Sequence, residues 1–355
     1  MNISIFGAGA WGTALAVHAA SENAKSKHSV ILWCRDVHQA QAMQKVHQNA
    51  RYLPDVSLPD RLQITSDWQC AIEGLSGNAV AVIATPFSGL SATLIGLNSA
   101  IGPWGDGRLV VANLVKGLEP STFYLPHQVA QRDAPNCTFV SLSGPSFAAE
   151  VARGLPVALS AAGTDQRARQ LTIDAFHHNA LRVYGTNDVI GVELAAALKN
   201  VIAIAAGACD GLALGLNARA ALITRGLSEI TNIGVALGAR ADTFQGLAGF
   251  GDLVLTCTGA LSRNRQVGVL LAQRGAVAST SASGQTSQTD VLAEITASLG
   301  HVAEGVACAA AAQALAKRLG VDAPIIDAVN QVLFKQLPVH QAVASLLARA
   351  QKNDL

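Results

Sequence analysis

The spacing of apolar residues changes near residue 190. Before that point, short aliphatic and β-branched runs alternate with helical stretches. After it, apolar spacing at three and four residues dominates and strand signals vanish. Strands are expected at residues 2–6, 30–33, 79–84, 109–113, 139–142, 156–161 and 182–184. Residues 38–46 are helical and polar, and residues 49–65, rich in Pro and Asp, read as a loop carrying one short strand, LQIT. Alternation of this kind builds an open, mostly parallel, doubly wound sheet. Residues 224–238 and 302–319 read as amphipathic helices. The pattern therefore predicts an α/β domain over residues 1–190 and an all-α domain over residues 191–355.

One helix stands apart. Residues 192–207, VELAAALKNVIAIAAG, are apolar almost all the way round, as in a helix buried inside a protein. Lys199 and Asn200 sit at its centre. A lysine there either snorkels to water along its stem or loses its hydration. In the second case its neutral form becomes easier to reach, and it can exchange a proton near neutral pH.

Composition narrows the classes. Half of the 355 residues are hydrophobic, 14% are charged and the formal charge is +1, which speaks against nucleic acid as a partner and leaves room for a small anion. Asp210 interrupts the longest apolar run, so no stable membrane insertion is expected. The six cysteines, Cys34, Cys70, Cys137, Cys209, Cys257 and Cys308, form no CxxC pair, so neither a zinc site nor a disulfide framework is signalled. Free thiols in a reducing cytoplasm are the simplest account.

The first strand runs into Gly7-Ala8-Gly9-Ala10-Trp11-Gly12 and then a helix. In G-x-G-x-x-G between a strand and a helix, Gly7 permits the tight turn, Gly9 the approach of a pyrophosphate, and Gly12 close helix–strand packing. The helix start offers backbone N–H groups to the phosphates. This makes the first domain Rossmann-like, with NAD or NADP as cofactor. The second strand ends in Cys34-Arg35-Asp36. An acid at that place grips a ribose 2′-hydroxyl. Arg35 there stacks on adenine or meets a 2′-phosphate, which tilts the expectation toward NADP or both cofactors, and a plain surface Arg–Asp pair is the competing account. Thr85 and Ser88, in a turn expected whatever the function, carry little weight.

Lys116, in Lys116-Gly117-Leu118-Glu119, follows another strand end, where it either points into the crevice or is simply solvated. Ser143-Gly144-Pro145-Ser146-Phe147-Ala148 places backbone amides at the same sheet edge. In the second domain, Asp252 closes the glycine-dense GLAGFGD, either as a helix cap or as an acceptor for substrate hydroxyls or Lys199. Ser262-Arg263-Asn264 opens a helix with a cap hydroxyl, a bidentate cation and an amide, a set suited to phosphate. Residues 278–289 read as a polar surface loop. Glu304 is either an exposed charge or a partner for a cofactor ribose.

Taken together, GAGAWGTALA, LWCRD, KGLE, SGPSFAAE, ELAAALKNVIAIAAG, GLAGFGDLVLTC, SRNR and AEGV occur in the order seen in bacterial NAD(P)-dependent glycerol-3-phosphate dehydrogenases, and the chain resembles that family from about residue 2 to 340. The resemblance implies reversible interconversion of dihydroxyacetone phosphate, a phosphorylated triose, and sn-glycerol 3-phosphate, feeding glycerophospholipid synthesis in a cytoplasmic homodimer. It implies that Lys199 gives and takes the proton, with Lys116 as its partner at substrate and cofactor. Asn200 and Asp252 then position the lysine and hold hydroxyls. Gly144 and Ser146 resemble substrate contacts, and Ser262, Arg263 and Asn264 the phosphate site, with Arg263 also reaching the cofactor. Gly7, Gly9, Ala10, Trp11, Gly12, Arg35, Ala148, Val302 and Glu304 complete the implied cofactor contacts. No metal is required, because the lysines supply the positive charge. Three places depart from the family: Asn113-Leu114-Val115 replaces the usual Ala-Thr or Ala-Cys, Ala303 replaces Val, and residues 278–289 look inserted. Two other readings are a β-hydroxyacid dehydrogenase of the same two-domain architecture and a non-catalytic nucleotide-binding redox sensor.

Overall fold

The computed structural model describes residues 1–21, 28–100, 109–278, 288–299 and 303–348. The chain divides into two units, Met1–Lys116 with Tyr124–Glu193, and Gly117–Phe123 with Leu194–Leu355. By this division the main boundary falls between Glu193 and Leu194, and the short segment Gly117–Phe123 groups with the second unit.

The first unit is built on strands β1 (Asn2–Phe6), β2 (Ser29–Trp33), β5 (Leu62–Thr65), β6 (Ala79–Ile83), β7 (Val110–Asn113), β8 (Thr138–Ser143), β9 (Val157–Ala162) and β10 (Leu181–Thr186). They form one eight-stranded sheet in the order β10-β9-β8-β7-β6-β1-β2-β5. All neighbours are parallel except β8 and β9, which run antiparallel. Chain order reverses at β1, which pairs Ile3 with Val30 of β2 on one side and with Val80 of β6 on the other. In such sheets the ligand crevice opens beyond the carboxyl end of the strand at the reversal.

Side-chain alternation along β1 explains why both faces are covered. Ile3 and Ile5 enter one core with helices α1 (Ala10–Ala19), α2 (Val37–Val46), α6 (Ala148–Ala152) and α7 (Gln166–Phe176). Phe6 enters the other with α3 (Trp68–Glu73), α4 (Leu90–Ala100) and α5 (Pro126–Asp133). Ser4 points to the second face and is fully buried, and its hydroxyl donates to the Ala71 carbonyl at 2.8 Å, so the polar atom is satisfied.

The segment expected to be a loop with a single strand holds more structure. Strands β3 (Gln48–Asn49) and β4 (Leu53–Ser57) form an antiparallel pair whose register shifts at Gln48/Asn49. Alternation over two residues is too short to be read from sequence.

The second unit is helical. Helix α8 (Val189–Gly211) starts in the first unit and continues into the second. It is long and apolar enough to cross a membrane, but 89% of its apolar window is buried inside the protein, so it is a core helix. It is followed by α9 (Gly215–Ala236), a π-helical turn at Leu247–Gly251, α10 (Asp252–Thr258), α11 (Arg263–Ala278), α12 (Gln288–Ser298), α13 (Glu304–Arg318), α14 (Pro324–Phe334) and α15 (Val339–Leu347). The glycine-dense stretch before Asp252 is thus helical rather than an open turn. Helices α8 and α11 cross in near backbone contact: a Cβ added to Gly207 would lie 1.9 Å from the Arg265 carbonyl oxygen, and one on Gly268 1.9 Å from that of Ile204. This brings the start of α11 against the helix that carries Lys199. The buried Glu229 of α9 caps α14 by accepting the N–H groups of Ile325 at 2.7 Å and Ile326 at 3.1 Å. The expected polar loop falls largely on residues 279–287, outside the described residues, and α11 and α12 reach Ala278 and Gln288 on either side.

Candidate functional site

In the first unit, the turn between β1 and α1 is defined by the space around its glycines. Gly7 has φ +121°, and a Cβ there would lie 2.6 Å from the Ala84 carbonyl oxygen. A Cβ on Gly12 would lie 2.0 Å from the Gly7 oxygen. A Cβ on Gly9, by contrast, would meet nothing within 4 Å among the described residues. Two glycines are filled in by protein, and the middle one faces open space at the start of α1. This is the division of labour a pyrophosphate cradle requires, so the turn fits a dinucleotide. Ala10 and Trp11 begin α1 and are half-buried, and Trp11 packs on the same core as Ala148 of α6.

A residue the sequence reading missed holds this turn. Asn49 is 1% exposed and its Nδ2 donates to the Ala8 carbonyl at 2.9 Å and to Thr13 Oγ1 at 2.8 Å, while Gln39 Nε2 donates to the same carbonyl at 3.1 Å. Asn49 stands 41 residues from Ala8 in the chain, and no local pattern marks such a partner.

At the end of β2, Arg35 is exposed. Asp36 is the N-cap of α2, where its Oδ1 accepts the N–H groups of His38 at 2.9 Å and Gln39 at 3.2 Å. Gly144 follows β8 and is buried, and Ser146 is half-buried with its hydroxyl donating to the Gly144 carbonyl at 2.9 Å. Lys116 is half-buried, three residues past the end of β7.

In the second unit, Lys199 is 6% exposed and does not snorkel. Its Nζ lies 2.5 Å from Asp252 Oδ1 and 3.0 Å from Thr256 Oγ1. Thr256 in turn donates to the Asp252 carbonyl at 2.6 Å. The π-helical turn and α10 place the carboxylate and the hydroxyl one turn apart on the same helix face. That i, i+4 spacing in Asp252-Leu-Val-Leu-Thr256 was the available signal for Thr256. The side chain therefore stays inside the unit with a carboxylate and a hydroxyl as partners instead of reaching water along its stem.

Three further site residues come together nearby in the same unit. Asn200 Nδ2 donates to Glu304 Oε2 at 3.4 Å, and the Gly305 N–H donates to Asn264 Oδ1 at 3.0 Å. A Cβ on Gly305 would lie 2.5 Å from the Asn200 carbonyl oxygen and 2.8 Å from Asn264 Oδ1, so these groups are in direct contact. Glu304 is therefore joined to Asn200 and is not the exposed charge of one alternative. Ser262 is buried and caps α11, its Oγ accepting the Arg265 N–H at 3.3 Å. Arg263, next to it, is exposed. Val302 lies outside the described residues.

The N-terminal and C-terminal models of the NAD-dependent glycerol-3-phosphate dehydrogenases match residues 2–169 and 188–344. Proteins named glycerol-3-phosphate dehydrogenase (NAD(P)+) from Methylibium petroleiphilum and Polaromonas naphthalenivorans are 50% and 48% identical, and both alignments cover 100% of this chain and 98% or more of the relative. The crystal structure of glycerol-3-phosphate dehydrogenase from Coxiella burnetii is 35% identical with a TM-score of 0.86, over 98% of each chain. The chain belongs to the NAD-dependent glycerol-3-phosphate dehydrogenase family and is an oxidoreductase.

Proposed function

We propose that Lys199 moves the substrate proton in the reversible interconversion of dihydroxyacetone phosphate and sn-glycerol 3-phosphate, the reaction of the family to which this chain belongs. The observation that carries the reading is a buried ammonium held by one carboxylate at 2.5 Å and one hydroxyl at 3.0 Å. NAD or NADP, when bound, supplies or takes up the hydride. The Gly7–Gly12 turn and the amides at the start of α1 would hold its pyrophosphate.

In reduction, negative charge grows on the carbonyl oxygen of the triose. Lys199 stabilises that charge and then gives its proton to it. In oxidation the amine takes the hydroxyl proton, and Asp252 stabilises the ammonium that forms. Asp252 thus acts in both directions as the counter-charge that makes the lysine's proton transfer reversible in a dry site. Lys116 adds a second positive charge. Arg263 and Asn264 at the start of α11 bind the phosphate. Asn264 commits Oδ1 to the Gly305 N–H, so its Nδ2 is the group that would donate to the phosphate. Binding energy from this remote group orients the reacting carbon.

At the end of β2, Asp36 is already engaged in capping α2 while Arg35 is exposed. This supports use of a 2′-phosphorylated cofactor at least as readily as NAD. Burial pushes the thiols of Cys257 and Cys308 up to about 12, which makes them inert and fits a protein of the reducing cytoplasm. The homodimer is supported by family resemblance alone, and sedimentation of the purified chain tests it.

The deciding experiment is the initial rate with dihydroxyacetone phosphate and each reduced cofactor, for the wild type and Lys199→Ala. The variant is expected to lose between about 100- and 10,000-fold in kcat with cofactor affinity unchanged. Near-normal turnover in the variant removes Lys199 from the chemistry. Absence of turnover in the wild type overturns the substrate.

A further inference from the structure

Four polar side chains of the first unit, unused by the chemistry above, form one chain of hydrogen bonds that ends on the backbone just before Lys116. β7 ends at Asn113, which is 1% exposed. Its amide grips Val115 twice: Nδ2 donates to the Val115 carbonyl at 3.0 Å, and Oδ1 accepts the Val115 N–H at 3.1 Å. Nδ2 also lies 3.5 Å from Ser141 Oγ on the neighbouring strand β8. The Ser141 hydroxyl donates to Glu193 Oε1. Glu193, 3% exposed near the start of α8, also accepts the main-chain N–H of His127 at 3.1 Å and lies 2.6 Å from His127 Nδ1.

The chain has a direction. An ionised carboxylate only accepts, so Glu193 takes the single hydrogen of Ser141. Ser141 is then left with lone pairs toward Asn113, which selects the amide orientation with nitrogen on that side. In that orientation, and not in the flipped one, Oδ1 faces the Val115 N–H and Nδ2 faces the Val115 carbonyl. His127, at the start of α5, keeps Glu193 in place through a main-chain and a ring nitrogen, and the helix start favours the negative charge. The link through Ser141 to Glu193 thus agrees with the way Asn113 holds the residue that precedes Lys116.

We propose that Asn113, oriented by Ser141 and Glu193, is a positioning residue for Lys116: by fixing both main-chain groups of Val115 it sets the direction in which the lysine leaves the sheet edge. The inference rests on Lys116 being the second cation of the site. It concerns Asn113-Leu114-Val115, the stretch immediately before Lys116.

The test is a kinetic cycle in the full-length protein with Asn113→Leu, Ser141→Ala and Lys116→Ala, singly and with each of the first two combined with the third. Turnover of dihydroxyacetone phosphate, cofactor affinity by fluorescence titration and the denaturation midpoint are measured for each. Asn113→Leu is expected to lower kcat between about 10- and 100-fold with cofactor affinity unchanged. On the Lys116→Ala background, the same change is expected to cost less than about twofold. Ser141→Ala, which leaves the grip on Val115 intact, is expected to show a smaller fall that also vanishes on that background, and it carries the test if Asn113→Leu does not fold. Equal losses on both backgrounds mean that Asn113 merely supports the fold, and overturn the proposal. If Lys116→Ala alone keeps near-normal turnover, the reading of Lys116 fails, and the proposal falls with it for that separate reason.

Discussion

Lys199 in the second unit and His178 in the first are buried alike, at 6% and 5% exposed, yet their surroundings differ in kind. Lys199 has a carboxylate at 2.5 Å and a hydroxyl at 3.0 Å. Among the described residues, neither ring nitrogen of His178 has a side-chain hydrogen-bond partner, and only the main chain of Ala175 favours its charged form. It is stacked on His18, with ring centroids 4.0 Å apart and an interplanar angle of 11°, and His28 lies 6.0 Å from it. Burial, followed by the neighbouring histidines, pushes His178 down to about 4. His18 and His28 are lowered too, chiefly by burial. One pocket holds a charge and the other excludes it. Depth alone does not mark a reactive group. The partner does, because only a supplied counter-charge lets a dry site keep an ion ready to give up its proton.

The strongest way to break this contrast is to remove the counter-charge. Asp252→Asn leaves the buried ammonium without a carboxylate, which costs about 3–5 kcal/mol for a buried pair stripped of one member. Turnover should fall together with stability, since the lysine then loses its anionic partner and keeps the neutral Thr256 hydroxyl. Urea denaturation at neutral pH measures the cost. A loss under about 1 kcal/mol would show that the ammonium is held by something other than Asp252.

How far these pockets could be read from sequence follows from the range of the signals. The glycine turn is local: Gly7, Gly9 and Gly12 stand within six residues, and the demands on each are set by β1 and α1 on either side. Helix α8 announced itself by unbroken hydrophobicity around Lys199 and Asn200. Asp252 was legible as a cap or an acceptor, and only coordinates could choose the lysine. Thr256 was within reach through its helical spacing from Asp252. The polar chain from His127 through Glu193 and Ser141 to Asn113 was not legible, because its links span 66, 52 and 28 residues and use side chains that singly look like surface. The same holds for Asn49 on the carbonyl of Ala8. Apolar periodicity reports which face is covered. It does not report which buried donor meets which acceptor, and those matches are made by topology.

The histidine pocket gives a second, smaller test, and its sign follows from the direction of the shift. The ring of His178 is neutral in the folded protein down to about 4, whereas in the unfolded chain it takes up a proton near 6.5. The contribution is fully present above pH 6.5 and is lost as pH falls from there toward 4. Allowing for solvent screening, the loss amounts to about 1 to 2 kcal/mol. His178→Phe preserves a flat ring and cannot protonate, so it should flatten the fall in stability between pH 7 and 5. An unchanged slope in the variant would place the acid sensitivity elsewhere.

The finest test asks whether both partners of Lys199 are needed. In Thr256→Val the shape is kept and the hydroxyl is lost, while the Asp252 carboxylate remains 2.5 Å from the ammonium. A neutral hydrogen bond contributes about 1 kcal/mol, well below the counter-charge, so stability should fall by about that much. The hydroxyl also donates to the Asp252 carbonyl and so ties the start of α10 to the lysine. Its loss should let the ammonium move and lower kcat by about tenfold, with cofactor affinity unchanged. If Thr256→Val instead destabilised the protein as much as Asp252→Asn, the pocket would be held by its hydrogen-bond geometry rather than by its charge. The contrast with His178 would then rest on having a hydrogen-bond partner of any kind and no longer on having an anionic one.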